Sequence, residues 1–143
     1  EEGIKKNYFL EYAIVHGNYY GTSLKPIIKA INDGKLVIFD IDVQGHKIVR
    51  EKLNNITTSV FITTPSLNEL KNRLISRATD NHTTINKRIQ NAKKEMKDID
   101  KYDYFIVNDN LTKASEQLIS IAKASQTKTK LFDIEKFTKL WEQ

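Results

Sequence analysis

Asp40 and Asp42 close an apolar run, KLVIFDID, two positions apart. In an extended chain that spacing puts both carboxylates on one face and Ile41 on the other. Ligands of parallel α/β sheets sit beyond the carboxyl ends of the strands. An apolar strand ending in Asp is one way nucleotide-hydrolysing folds hold Mg²⁺, directly or through water. Capping of the next helix, or plain exposure to solvent, accounts for the same pair. Arg73 and Arg77 stand at i and i+4, neighbours on one helix surface. Arg88 follows after the polar segment ATDNHTT. Three guanidinium groups around such a connection suit a lid over a polyphosphate, where they would neutralise charge spreading over a transferred phosphoryl group. The local explanation competes. Glu69 precedes Arg73 at the i, i+4 spacing of an ordinary surface ion pair, which is worth only about 0.3–0.5 kcal/mol.

A third group lies in FLEYAIVHGNYYGT, residues 9–22. The run is strand-like, yet Glu11 interrupts its apolar residues. Guanine offers two donors side by side, N1–H and the exocyclic amine, where adenine offers an acceptor at N1. One carboxylate accepts both guanine donors and repels adenine, so Glu11 is a candidate reader of guanine. Thr22 could serve guanine O6, a tyrosine hydroxyl could bind a monophosphate oxygen, and Gly21 would let the backbone come close. Half-buried strand aromatics are the commoner role for Tyr19 and Tyr20.

The elements that must carry these groups follow from periodicity. Lys35–Asp42, Ser59–Pro65 and Tyr104–Asp109 read as short strands, each with both faces buried. Val43–Leu53 reads as a helix. Ser66 with Glu69 forms the signature of a capping box, and Leu67, Leu70, Leu74 and Ile75 give the stripe of a helix buried on one side. Ile85–Met96 continues as a charged amphipathic helix, and Leu111–Ala124 is a third with Leu118, Ile121 and Ala122 inward. Ser23–Asp33 is helical with Pro26 in its first turn. The tail TKTKLFDIEKFTKLWEQ is expected to dock a short helix through Phe132, Phe137 and Trp141. Strands alternating with helices predict an α/β fold with a largely parallel sheet.

Bulk composition limits the partners. The chain has 143 residues, a net charge of +5 and no cysteine, which favours anionic partners and excludes disulfides, thiolate metal sites and a cysteine nucleophile. His16, His46 and His82 are too far apart for a local metal motif. No apolar run approaches the roughly 20 residues of a membrane span, so no membrane partner is expected. Lys87, Lys93, Lys94 and Lys97 scatter over helix exteriors instead of forming a stripe with aromatic platforms; no nucleic-acid partner is expected. Oligomeric state has no signal in the sequence.

Taken together, FLEYAIVHGNYYGT, IFDIDVQG at residues 38–45, RLISRATD at 73–80 and YFIVND at 104–109 resemble guanylate kinase, in order and with fitting spacing over residues 8–125. The resemblance implies ATP-dependent phosphorylation of GMP to GDP with Mg²⁺, in the cytoplasm. It implies a three-layer, parallel-sheet nucleoside monophosphate kinase core of the P-loop type. Residues 1–25 would be a remnant of the GMP-binding subdomain, 26–127 the α/β core with a lid around 77–90, and 128–143 a helical tail. Carried over by position, Glu11 and Thr22 would read guanine, with Gly21 beside them and Tyr20 on the GMP phosphate. Asp40 and Asp42 would lie near the metal and GMP, with no direct metal ligand and Asp40 reaching the metal through water. Arg73, Arg77 and Arg88 would be the catalytic, phosphate-binding arginines. Arg73 and Arg77, with Asn108 near the adenine, would contact ATP.

Two departures from the family stand out. Arg77-Ala78-Thr79 replaces the common Arg-Gly-Thr, which would stiffen the lid's hinge. The phosphate loop G-x-x-x-x-G-K-[ST] is also missing: Gly34-Lys35 is the only Gly-Lys pair, but Lys29 stands where a glycine belongs and Leu36 follows. EEGIKKNYF reads as the end of a helix entered midway. The expectation is an N-terminally incomplete core, the C-terminal two-thirds or so of the enzyme, inactive by itself. The alternative is a guanylate-kinase-like scaffold domain that binds phosphorylated proteins without catalysis. Such domains typically lose the acid pair and the lid arginines, which this chain keeps.

Overall fold

The computed structural model describes residues 9–15, 18–54, 56–77 and 81–142, and for residues 9–23 their backbone. The helix end expected at residues 1–8 and the hinge residues Ala78 and Thr79 lie outside the described residues. The described chain divides into two units, one running up to Thr57 and resuming at Lys128, the other spanning Thr58–Thr127.

The first unit opens with a hairpin. Strands β1 (Phe9–Val15) and β2 (Asn18–Ser23) pair antiparallel, with an irregularity in register between Phe9 and Glu11. Helix α1 (Leu24–Asn32) follows at once. Pro26 costs it nothing, because the first-turn amides have no partner inside a helix. Its end is built by Gly34, whose φ of 72° is open to glycine without strain. Gly34 N–H donates to the Ile31 carbonyl and Lys35 N–H to that of Ala30, each near 2.9 Å, the pair of bonds that closes a helix on a left-handed residue.

Residues 35–42 depart from expectation: they are extended but join no ladder among the described residues. Val37, Phe39 and Ile41 are half-buried, while Leu36, Ile38, Asp40 and Asp42 are exposed, Ile38 at 80%. Only one face finds cover, because Phe39 and Ile41 pack on the core of Ile27 and Val49, joined by Leu24 and Leu53. Helix α2 (Val43–Leu53) follows and runs against β1.

The second unit holds the parallel pairing that the alternating pattern predicts. Strands β3 (Val60–Thr63) and β4 (Tyr104–Val107) run parallel, in register from Val60↔Tyr104 to Thr63↔Val107. Both ends are fastened. At the start, the Ser59 amide (2.8 Å) and hydroxyl (3.1 Å) donate to the Asp103 carboxylate, and Phe61 meets Tyr102 edge-on. At the finish, Asn108 N–H donates to the Thr63 carbonyl at 2.7 Å. The crossover is made of α3 (Leu67–Ser76), α4 (His82–Glu95) and a 3₁₀ turn, Met96–Lys101. Leu74, Ile85 and Ile89 form its core, with Leu70 against them. Helix α5 (Leu111–Ser125) packs on β4, where Ile106 and Ala114 are buried. Leu118, expected inward, is 38% exposed, and Ile121 and Ala122 are half-buried.

The tail also differs from expectation. It forms α6 (Ile134–Thr138) between two short 3₁₀ turns, and Phe132, Phe137 and Trp141 remain exposed. A five-residue helix is too short to present a continuous stripe. Phe137 and Trp141, at i, i+4, instead lie against each other with ring centres 6.4 Å apart.

Candidate functional site

The hairpin fixes how its candidate residues are spaced. Glu11 is the direct register partner of Thr22, Tyr12 of Gly21 and Ala13 of Tyr20. Positions opposite each other in an antiparallel pair share a face, and faces alternate along each strand. Backbone positions 11, 20 and 22 therefore belong to one face of the ladder and Gly21 to the other. The sequence showed the run of residues but not this pairing.

Asp42 is the N-cap of α2, its carboxylate accepting from Gly45 N–H at 2.8 Å. The capping explanation for the acid pair is thus realised at Asp42, while Asp40 is exposed on the same side of the extended segment. Gly45 has a role of its own. A Cβ there would stand 3.0 Å from Ile41 Cβ and 3.4 Å from its Cγ2. Crowding of a packed site costs about 1–3 kcal/mol, and alanine's better helix propensity returns up to about 1 kcal/mol. Gly45→Ala is expected to destabilise the protein by about 1 kcal/mol, read as a lower urea midpoint at unchanged slope.

In the second unit, α3 begins as its capping signature predicts, with Ser66 Oγ accepting from Glu69 N–H at 3.1 Å. The reciprocal half of the box does not form. The Glu69 carboxylate instead accepts from Arg73 Nε at 2.6 Å, and Arg73 Nη1 donates to the Asn108 carbonyl at 2.9 Å. Arg73 and Asn108 are thus brought together, through a backbone atom that a sequence motif does not reveal. Arg77 is the C-cap residue of α3, exposed, with its backbone N–H held by the Arg73 and Ile75 carbonyls. A cationic residue there suits the negative end of the helix dipole.

Helix α4 starts three residues earlier than its apolar pattern suggests, because Asn81 Oδ1 caps the Thr84 amide at 2.8 Å. Leu74, Ile85 and Ile89 hold α3 against α4. The groove between them is lined by Leu70, Leu74, Arg77, Arg88, Asn91 and Glu95. Arg77 and Arg88 therefore line one groove, from the end of α3 and from α4. Among the described residues no three His, Cys, Asp or Glu side chains form a cluster able to hold a metal, and no helix is long and apolar enough to cross a membrane.

Comparison with known proteins gives this arrangement a family. A family model described as guanylate kinase matches residues 1–125. The guanylate kinase of Sulfurimonas denitrificans is 51% identical over 142 residues, covering 99% of this chain and 69% of that protein. That of Helicobacter pylori is 50% identical, covering 99% and 68%, and that of Wolinella succinogenes 49% identical, covering 98% and 65%. This chain thus spans 65–69% of the length of these relatives. The crystal structure of guanylate kinase from Anaplasma phagocytophilum superposes with a TM-score of 0.70 at 28% identity, over 90% of this chain and 62% of that one. With a family match across most of its length and close relatives at half identity, the chain belongs to the guanylate kinase family.

Proposed function

We propose that this chain works in phosphoryl transfer from ATP to GMP, giving ADP and GDP. The observation that carries the reading is the presence of Arg77 and Arg88 in the lining of one groove, from helices on either side of residues 78–80. In the reaction an oxygen of the GMP phosphate attacks the γ-phosphorus of ATP. The bond from that phosphorus to the β,γ-bridging oxygen breaks, and charge spreads over the transferred group. Guanidinium groups stabilise such charge without risk of losing their own proton. Residues 77–90 act as the lid that brings them in, and Arg73 and Asn108 serve the ATP side.

The shared hairpin face of positions 11, 20 and 22 supports the guanine-reading role of Glu11 and Thr22 and the phosphate contact of Tyr20. Residues 1–25 belong to the GMP-binding subdomain, 26–127 to the α/β core and 128–143 to the tail. The acid pair fits Mg²⁺ of the kind that keeps most of its waters and takes its remaining ligands from nucleotide phosphates. Asp40 carries an exposed carboxylate able to accept from a metal-bound water, while one Asp42 oxygen is committed to the α2 cap. When bound, the ion neutralises charge between the phosphates of ATP. Free nucleotides are the substrates, so the cytoplasm is the working compartment.

The test is a coupled assay on a complete enzyme that includes this chain. ADP release is expected to depend on GMP, with AMP giving less than about 1% of the GMP value of kcat/KM, as befits a site that hydrogen-bonds its substrate. Comparable rates with AMP would contradict the guanine-reading role.

A further inference from the structure

We propose that Glu69 is a positioning residue for the ATP side of the site, fixing the Arg73 guanidinium so that one edge of it faces the triphosphate. The role rests on the phosphotransfer reading above. A guanidinium carries five N–H groups in a rigid planar fork. Here Nε donates to Glu69 Oε1 at 2.6 Å and Nη1 donates to the Asn108 carbonyl at 2.9 Å. One Nη1 hydrogen and both Nη2 hydrogens remain. The Nη2 edge of the fork is the part left to bond a phosphate, through charge-assisted hydrogen bonds. Because the fork is planar, fastening it at two points fixes the direction of that edge.

Both fastening points are themselves held. Glu69 sits in the first turn of α3, its amide bound by Ser66 Oγ. Asn108 continues the β3–β4 ladder through its bond to Thr63, and Asn110 caps α5 by accepting from Lys113 N–H at 3.0 Å. Arg73 thereby links α3 to the loop between β4 and α5 across 35 residues of sequence. The Glu69–Arg73 pair does little for stability, since both side chains are more than one-third exposed and solvent screens them. An ion pair of small energetic value that aims a shared guanidinium is better explained by orientation than by folding.

The test compares wild type, Glu69→Ala and Glu69→Gln in a complete enzyme that includes this chain. Glu69→Ala is expected to raise KM for ATP about tenfold while KM for GMP stays within about twofold, the scale on which a misplaced contact is felt. Its melting temperature is expected to move by no more than about 2 °C. Glu69→Gln, which keeps an oxygen for Arg73 Nε, is expected to recover most of the ATP KM. An unchanged KM for ATP, equal changes for both nucleotides, or lost activity matched by lost thermal stability would each overturn the role. Nitrogen-15 NMR of the Arg73 Nε–H reads the geometry without turnover, expected slow to exchange in wild type and fast in Glu69→Ala. Fast exchange in wild type would overturn the proposal, whereas slow exchange in an enzyme that does not phosphorylate GMP would overturn the phosphotransfer reading instead.

Discussion

Arg77→Ala, made in a complete enzyme that includes this chain, is expected to lower kcat for GMP phosphorylation by about 100- to 1,000-fold, the scale of removing one preorganised donor from developing charge. KM for GMP should move by no more than about threefold, as expected of a group that meets charge appearing in the transition state and not in the bound ground state. Stability should barely change. Arg77 is an exposed C-cap residue, and the bonds that end α3 come from its backbone N–H, which alanine retains. Steady-state kinetics with a melting curve on the same sample separates the two roles. Normal turnover with a lowered melting temperature would make Arg77 a structural residue and remove it from the reaction.

Glu11→Gln is expected to act on the other substrate. A hydrogen bond to a charged acceptor is worth about 1.5–3 kcal/mol, so KM for GMP should rise by roughly 10- to 100-fold while KM for ATP stays constant. The neutral side chain also brings an amide donor towards a base edge that offers donors. Register supports the pairing of this residue with Thr22, since the two stand directly opposite in the hairpin. Thr22→Val should therefore shift KM for GMP in the same direction as Glu11→Gln but by less, because only a neutral hydroxyl contact is lost. Equal losses of affinity for both nucleotides in Glu11→Gln would count against base reading and point to damage of the hairpin.

How much of this was legible depended on the range of the interaction involved. Helix α2 matches its predicted bounds, and α3 starts at its predicted cap, because caps and apolar periodicity are local signals carried by Asp42, Ser66, Leu70 and Leu74. The start of α4 lies three residues before the one its apolar pattern predicts, since Asn81 caps a polar first turn with no apolar residue before Ile85. Apolar content predicts burial on both faces for residues 35–42, β3 and β4, yet Ile38, Ile62, Tyr104, Phe105 and Val107 are exposed, because apolar content marks what seeks burial, not what is available to cover it. Asp42 carried two explanations, and only the bond to Gly45 shows that capping is one of its roles. Glu69–Arg73 was legible as an i, i+4 pair. The third member, a backbone carbonyl 35 residues away, was not. For the tail, aromatic content suggested docking, while the shortness of α6 leaves Phe137 and Trp141 against each other.

The fastening of β3 to β4 at both ends has a bearing on how such a protein can change over time. Ser59 with Asp103 sets the alignment where the strands begin, and Asn108 with Thr63 sets it where they finish. The alignment therefore does not depend on how many residues the chain spends between Pro65 and Tyr102. Lengthening a flexible connection costs little, about 0.6 kcal/mol for each doubling. Natural variation can therefore lengthen or shorten the connection between the two strands without shifting the sheet by a residue, so the connection and the frame are free to diversify at different rates.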